Sequence, residues 1–291
     1  MKPAPFRYHR PETVAEATGL LAELGDEAKV LAGGQSLVPM LALRLAVFEH
    51  LVDISRLPEL IGVERRNGSL WIGAGTTEAA VEHHAEVATD APLLARATPF
   101  IGHSQIRNRG TVGGSIAHAD PAAEYPAVAL ALDAEMEATS PRGTRRIPAA
   151  EFFTGLWSTA LEADEILVGT YFPVWSGRRG FAVQEFARRH GDFAIAGAAV
   201  AVELGGDDRV QRCAIGLLGL GSTPHRGSAA EQGAVGRAIQ ELSAEEIGRA
   251  AVADLDEVPS DLHGSADYRK KVGATMVARA WDAAVQEATG G

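Results

Sequence analysis

The chain has 291 residues, a formal charge of −11 and a single cysteine, Cys213. That length accommodates one to three domains of roughly 100 to 150 residues, and the acidic balance argues against a nucleic-acid groove or an anionic membrane surface, both of which need clustered Lys and Arg. One thiol excludes internal disulfides and cannot supply the four thiolates of an iron-sulfur cluster, so any such cluster belongs to another subunit.

The N-terminus, Met1-Lys-Pro-Ala-Pro-Phe-Arg-Tyr-His9, is too polar and proline-broken for a signal peptide, and no apolar run approaches about 18 residues. A cytoplasmic location is the expectation. Residues 13 to 24 space their apolar positions like a helix, Gly25 supplies its stop, and a strand is expected over 28 to 32. Residues 36 to 48 read as helical or irregular and Leu51 to Ile54 as a strand, which makes a β-α-β-like opening unit. Leu70 to Ala74 is the next expected strand, with Thr76 or Thr77 capping the helix behind it and Glu78 in that helix's first turn.

A further helix is expected from about Pro92 to Ile101, then a polar link over Gln105-Ile-Arg-Asn-Arg109, and a small-residue helix that runs through Leu132. Strands at 133 to 139 and 144 to 147 suggest a hairpin around Ser140-Pro-Arg-Gly143, and Glu165 to Pro173 reads as one more strand. The charged stretch Trp175-Ser-Gly-Arg-Arg-Gly180 marks a domain boundary. Beyond it, strands at 181 to 188, 197 to 204 and 209 to 218 precede helices at 243 to 255 and 265 to 288, an α+β order.

Two glycine pairs stand out: Gly33-Gly34 in Val30-Leu-Ala-Gly-Gly-Gln-Ser36, and Gly113-Gly114 in Arg109-Gly-Thr-Val-Gly-Gly-Ser-Ile116. Glycine permits positive φ and close approach of a ligand, so consecutive N-H groups can converge on one anion, and a diphosphate suits two such loops. Neither G-x-G-x-x-G nor Gly-Lys-Ser/Thr occurs, which excludes the two commonest phosphate loops. In a chain with 32 glycines the first pair is as readily a plain turn, with Ser36 a helix cap. The second pair is followed by His118, Asp120 and Glu124. Glu124 suits either a helix's first turn or an acceptor for ribose or ribityl hydroxyls; His118 and Asp120 read as loop hydrogen-bonding groups beside Pro121. Arg107 and Arg109 suit phosphate neutralisation or, more commonly, solvent. No H-E-x-x-H or G-x-S-x-G occurs, and Cys213 sits in an apolar strand pattern. With no catalytic residue and no metal site indicated, the chemistry falls to a cofactor.

These loops, the helix between Thr76 and Val87, and the run from Ile106 to Glu124 resemble the FAD-binding medium subunit of the molybdenum hydroxylases, the aerobic carbon monoxide dehydrogenase and xanthine dehydrogenase type. The resemblance extends to the opening Phe6-Arg-Tyr-His-Arg-Pro11, to Asp164-Glu-Ile-Leu167 and to Phe186-Ala-Arg-Arg-His-Gly-Asp-Phe-Ala194. It implies an α+β fold with a vanillyl-alcohol-oxidase-type (PCMH-type) FAD domain over 1–176, in subdomains of about 1–55 and 56–176. A C-terminal α+β domain of the CO dehydrogenase flavoprotein type follows over 177–291.

The resemblance also implies that Ala32, Gly33, Gly34, Gln35, Ser36, Thr111, Val112, Gly113, Gly114 and Ser115 hold the FAD pyrophosphate. Glu124 then serves the hydroxylated chain, Ile101 and Leu167 lie near the flavin, and Asp192-Phe193 lie over the ring. Gln35 stands where many relatives have histidine and Ser115 where many have asparagine, so the FAD is expected to be noncovalent. Molybdopterin and 2Fe-2S clusters are expected only in a large and a small partner subunit, within a heterotrimer that dimerises, with NAD or quinone as acceptor. The implied function is electron transfer from the partner's clusters through FAD. A self-contained FAD oxidoreductase of related fold and a noncatalytic scaffold are the alternatives.

Overall fold

The computed structural model describes residues 2–290; Met1 and Gly291, the outer ends of the two expected domains, lie outside it. Its strands form three principal sheets. The first joins β1 (Arg7–His9), β2 (Ala28–Leu31) and β3 (His50–Asp53), all parallel, in the order β1-β3-β2. The helix Val14–Leu24 crosses between β1 and β2, starting where the Thr13 side chain accepts the Glu16 amide and ending at Gly25, whose φ of 55° breaks the helical path. Its Ala17 and Leu21 bury against Val52, Ile54, Leu57 and Leu60, the pattern that the 3.6-residue spacing anticipates.

The second sheet is antiparallel. Its members are β4 (Val63–Arg66), β5 (Ser69–Gly73), β6 (Glu135–Ser140) and β7 (Gly143–Pro148), followed, after a small hairpin of β8 (Phe153–Gly155) and β9 (Ser158–Thr159), by β10 (Ile166–Pro173). The strand order is β4-β5-β10-β6-β7. Strand β10 unites the two N-terminal sheets, because Ile166 buries in the first core and Leu167 in the second. Short helices, among them Glu78–Glu82, Pro92–Ala97 and Glu124–Ala131, fill the space between β5 and β6. The expected hairpin around Ser140-Pro-Arg-Gly143 is present, with Ser140 opposite Gly143.

The C-terminal sheet contains β11 (Arg178–Phe186), β12 (Ala196–Leu204), β13 (Val210–Leu218) and β14 (His225–Arg226), antiparallel and in sequence order. Its two faces alternate with the period of two that a strand imposes. Ala198, Val200 and Val202 pack with Met276, Val277, Ala280 and Trp281 of the helix Ala266–Ala288. Ala199, Ala201 and Ala214 face the opposite way, into the core of the N-terminal domain. These residues are small because a helix docks there: a Cβ on Gly216 would stand 2.2 Å from the Ala127 carbonyl of the helix Glu124–Ala131. That docking places Glu124, the helix's first residue, at the boundary between the two domains.

Candidate functional site

The first glycine pair leaves β2 at Leu31, turns at Gly34 with a φ of +74°, and enters the short helix Leu37–Leu43. The amides of Gly33, Gly34, Gln35, Ser36 and Leu37 have no hydrogen-bond partner among the described residues. Since backbone donors withdrawn from water are nearly always paired, such a half-buried run is built to meet an acceptor. Gln35 steadies the turn, its Nε2 donating to the Gly33 carbonyl at 3.0 Å. Ser36 occupies the helix N-cap without making a capping bond, so its hydroxyl is also uncommitted.

The second glycine pair has a different job. The expected loop is the first turn of a helix, Val112–His118, capped by Thr111. Its amides are engaged: Val112 donates to Thr76 at 3.0 Å, Gly113 to Ala74 at 2.9 Å, Ser115 to the Thr111 carbonyl at 2.9 Å, and Gly114 to the Thr111 Oγ1 at 3.0 Å. The amides of 112 to 115 are thus bonded within the protein. The glycines serve close packing, since a Cβ on Gly113 would lie 2.3 Å from the Ala74 Cβ.

The two segments abut. A Cβ on Gly33 would meet the Arg109 carbonyl at 2.2 Å and the Gly110 Cα at 2.8 Å, and one on Gly114 would reach the Ala32 Cβ at 3.6 Å. One segment thus supplies free donors and the other packs its backbone closely against Gly33. The phosphates of a dinucleotide suit the donor set of the first wall, and a Cβ at Gly33 would force the two segments apart.

Leu167 is buried on β10, where a bulge follows it, and the Ala74 amide donates to the Val168 carbonyl at 3.0 Å. Ala74 thereby joins Leu167's strand to Gly113. Ile101 follows a 3-10 turn, and its carbonyl accepts from Arg107 Nη1 at 3.1 Å. Arg107 does not meet solvent freely. It pairs with Glu82 at 2.8 Å, largely buried, and holds the turn that presents Ile101. Arg109 contributes its carbonyl, against Gly33. Gly191, from the C-terminal domain, packs on the Gly102 carbonyl and the His103 ring, which brings the segment carrying Asp192 and Phe193 to the same boundary; Phe193 is 62 % exposed.

Three carboxyls collect beneath this wall. Glu78, 4 % exposed, presses its carboxyl against Gly110, and burial pushes it up to about 8, Glu124 adding to the rise and Arg107 opposing it. Burial likewise raises Glu124, with Asp120 contributing, and raises Glu185 on β11, with Glu124 contributing. Sequence reasoning placed Glu78 only in a helix's first turn and had no signal for Glu185.

His118 stacks on Trp157 at 6.2 Å, while Asp120 accepts from the Ala122 amide at 2.9 Å and from Trp157 Nε1 at 3.1 Å. That is the loop hydrogen bonding expected of Asp120. Cys213 is buried in β13, and burial pushes its thiol up, away from reactivity. At the far end of β3, Glu27, Glu49 and His50 bring potential ligand atoms within 4.8 Å, although both glutamates are exposed surface groups.

The chain matches the FAD binding domain in molybdopterin dehydrogenase over residues 4–175 and the CO dehydrogenase flavoprotein C-terminal domain over residues 181–284. It therefore belongs to the family of FAD-binding flavoprotein subunits of the molybdenum hydroxylases, which are oxidoreductases. Among its relatives, the 6-hydroxypseudooxynicotine dehydrogenase complex subunit alpha of Paenarthrobacter nicotinovorans is 43 % identical over 96 % of this chain and 94 % of its own length. The carbon monoxide dehydrogenase medium chain of Hydrogenophaga pseudoflava is 39 % identical over 98 % of each. Among solved structures, the carbon monoxide dehydrogenase of Hydrogenophaga pseudoflava lacking the Mo-pyranopterin moiety superposes with a TM-score of 0.95, at 40 % identity over 99 % of each chain. Quinoline 2-oxidoreductase of Pseudomonas putida 86 follows at 0.93, 34 % identity and 99 % of each chain.

Proposed function

We propose that this chain is the electron-transfer subunit of such an assembly, taking electrons from the iron-sulfur clusters of a small partner and passing them through noncovalent FAD to an external acceptor. A large partner would carry the molybdopterin and choose the substrate. The carrying observation is the loop at the first glycine pair: uncommitted amides at 33–37, beside a Gly33 that packs directly on the Arg109–Gly110 backbone.

When bound, FAD supplies a junction that accepts electrons singly and releases them in pairs. The chain's own residues do the rest. Amides 33–37 and the Ser36 hydroxyl bind the pyrophosphate, Gly33 and Gly114 let the two walls close on it, and Arg107 fixes the turn that sets Ile101. Leu167 and Ile101 supply apolar surface that keeps water from the ring, and Glu124 accepts hydrogen bonds from the hydroxylated chain. Gln35 offers no imidazole, in keeping with a noncovalent cofactor. No helix among the described residues is long and apolar enough to cross a membrane.

The test is reconstitution. The purified chain, mixed with FAD and desalted, is expected to turn yellow, to quench flavin fluorescence and to release intact FAD on denaturation; mixed with its reduced iron-sulfur partner, it is expected to bleach. A chain that stays colourless, or a bound flavin that the partner leaves oxidised, overturns the proposal.

A further inference from the structure

Glu78, Glu124 and Glu185 come from three elements and two domains: the helix Glu78–Glu82, the helix Glu124–Ala131 and strand β11. Glu78 Oε2 and Glu185 Oε2 are buried and have no hydrogen-bond partner among the described residues. At Glu78, 4 % exposed, an ionised carboxylate lacks both water and donors, at a cost far above that of a neutral carboxyl. Glu124 lies within Coulombic reach of both and repels each when charged.

Around Glu78 and Glu124 the surrounding groups do not relieve this. Arg107 is the one cation that favours ionised Glu78, and its fork is already taken by Glu82. Asp120 adds negative charge beside Glu124, and the Tyr125 hydroxyl is bonded to Thr98 Oγ1 at 2.8 Å. Glu185 opens on an interdomain cavity of about 180 Å³ whose other charged or titratable lining groups are Arg189 and His190.

The cluster adjoins the first glycine loop directly. Gly110 separates them: a Cβ there would fall 2.4 Å from Glu78 Oε2, while Gly33, in the free-amide loop, lies against the Gly110 Cα. A dianionic pyrophosphate seated on amides 33–37 therefore adds its charge one glycine away from carboxyls that are already hard to ionise. Opposing charge of that kind raises their hold on protons, and by linkage the protonated cluster raises the hold on the anion.

We propose that Glu78, Glu124 and Glu185 form a proton-binding site coupled to cofactor loading: the chain takes up a proton as FAD seats, and its grip on FAD loosens as the cluster ionises. The inference rests on the FAD reading above. No bond is made or broken; a proton from solvent joins a carboxylate oxygen.

The experiment is the FAD dissociation constant of the full chain, followed by fluorescence quenching from pH 6 to pH 9, for the native chain, Glu78→Gln and Glu185→Gln. The native affinity is expected to stay nearly level while Glu78 keeps its proton and to fall as pH rises through about 8, approaching tenfold per pH unit for one linked proton, with both variants showing a shallower dependence. Two variants on different domains guard against one failing to fold. A native affinity constant across the range, or a dependence unchanged in both variants, overturns the inference while leaving FAD binding intact. Failure to bind FAD at any pH overturns the electron-transfer proposal and this one with it.

Discussion

The two glycine pairs look alike in the sequence and do opposite things. At Gly33-Gly34 the amides of 33–37 are left free and the chain turns through positive φ, so glycine there serves donation. At Gly113-Gly114 the amides are bonded to Ala74, Thr76 and Thr111, and glycine instead permits a helix to start against strand β5. The lesson is one of accounting: a Gly-Gly pair becomes an anion site only where its N-H groups have nothing else to bond. The second pair also lets its segment lie close to the first, since a Cβ on Gly114 would reach the Ala32 Cβ at 3.6 Å.

Substitutions at the two pairs should separate these roles. The largest effect is expected at Gly33→Val, whose Cβ would collide with the Arg109 carbonyl: the walls must part, and FAD affinity should drop by roughly 100-fold or more, about 3 kcal/mol. Equilibrium titration with FAD checks this, and retained affinity would break the contrast at its stronger end. Gly113→Ala should instead unfold the protein more easily, by about 2 to 3 kcal/mol, because the new methyl overlaps Ala74. Denaturant melts without FAD read that loss, and any fall in FAD affinity should track the fall in stability.

Glu78, pressed on Gly110 behind the second wall, sharpens the contrast through pH. Its carboxyl is raised from 4.5 to about 8 in the folded chain, so the folded state binds its proton more tightly than the unfolded one. The stability it contributes is complete below about pH 4.5 and is lost as pH climbs through 8, a decline on the order of 2 kcal/mol or more. Melts of the FAD-free chain at pH 5.5 and pH 8.5 should show the decline, and Glu78→Gln should flatten it. A variant that declines as steeply as the native chain would remove Glu78 from the cause.

Much of this was legible in the sequence. The opening helix, read over 13 to 24, is Val14–Leu24, and the strand read over 197 to 204 is Ala196–Leu204, because strong periodicity and clear stops govern both. Of the positions named from the resemblance, 32 to 36 and 111 to 115 lie on two segments that abut. What escaped was non-local. The amide accounting depends on the carbonyls of Ala74 and Thr76, which a strand about forty residues upstream brings to residues 112 and 113. Arg107 looked like a solvent or phosphate residue until the fold placed Glu82 and the Ile101 carbonyl beside it. Glu185 joins Glu124 only through the docking of small-residue strands, and no spacing rule encodes that.

The smallest effects give the finest test, because two single hydrogen bonds, one behind each pair, should fail in opposite ways. Thr111→Val removes the side chain that caps Gly114, and should lower stability by about 1 kcal/mol with FAD affinity changed less than about threefold, since that amide was never offered to the ligand. Gln35→Ala removes the bond that holds the Gly33 carbonyl. The turn lies on a half-buried edge, so stability should barely move. The five free amides would lose some of their alignment, and FAD affinity should weaken by about three- to tenfold, the worth of one such bond. If Gln35→Ala lowered the melting temperature and spared FAD, while Thr111→Val did the reverse, the donor and the spacer would have to exchange places.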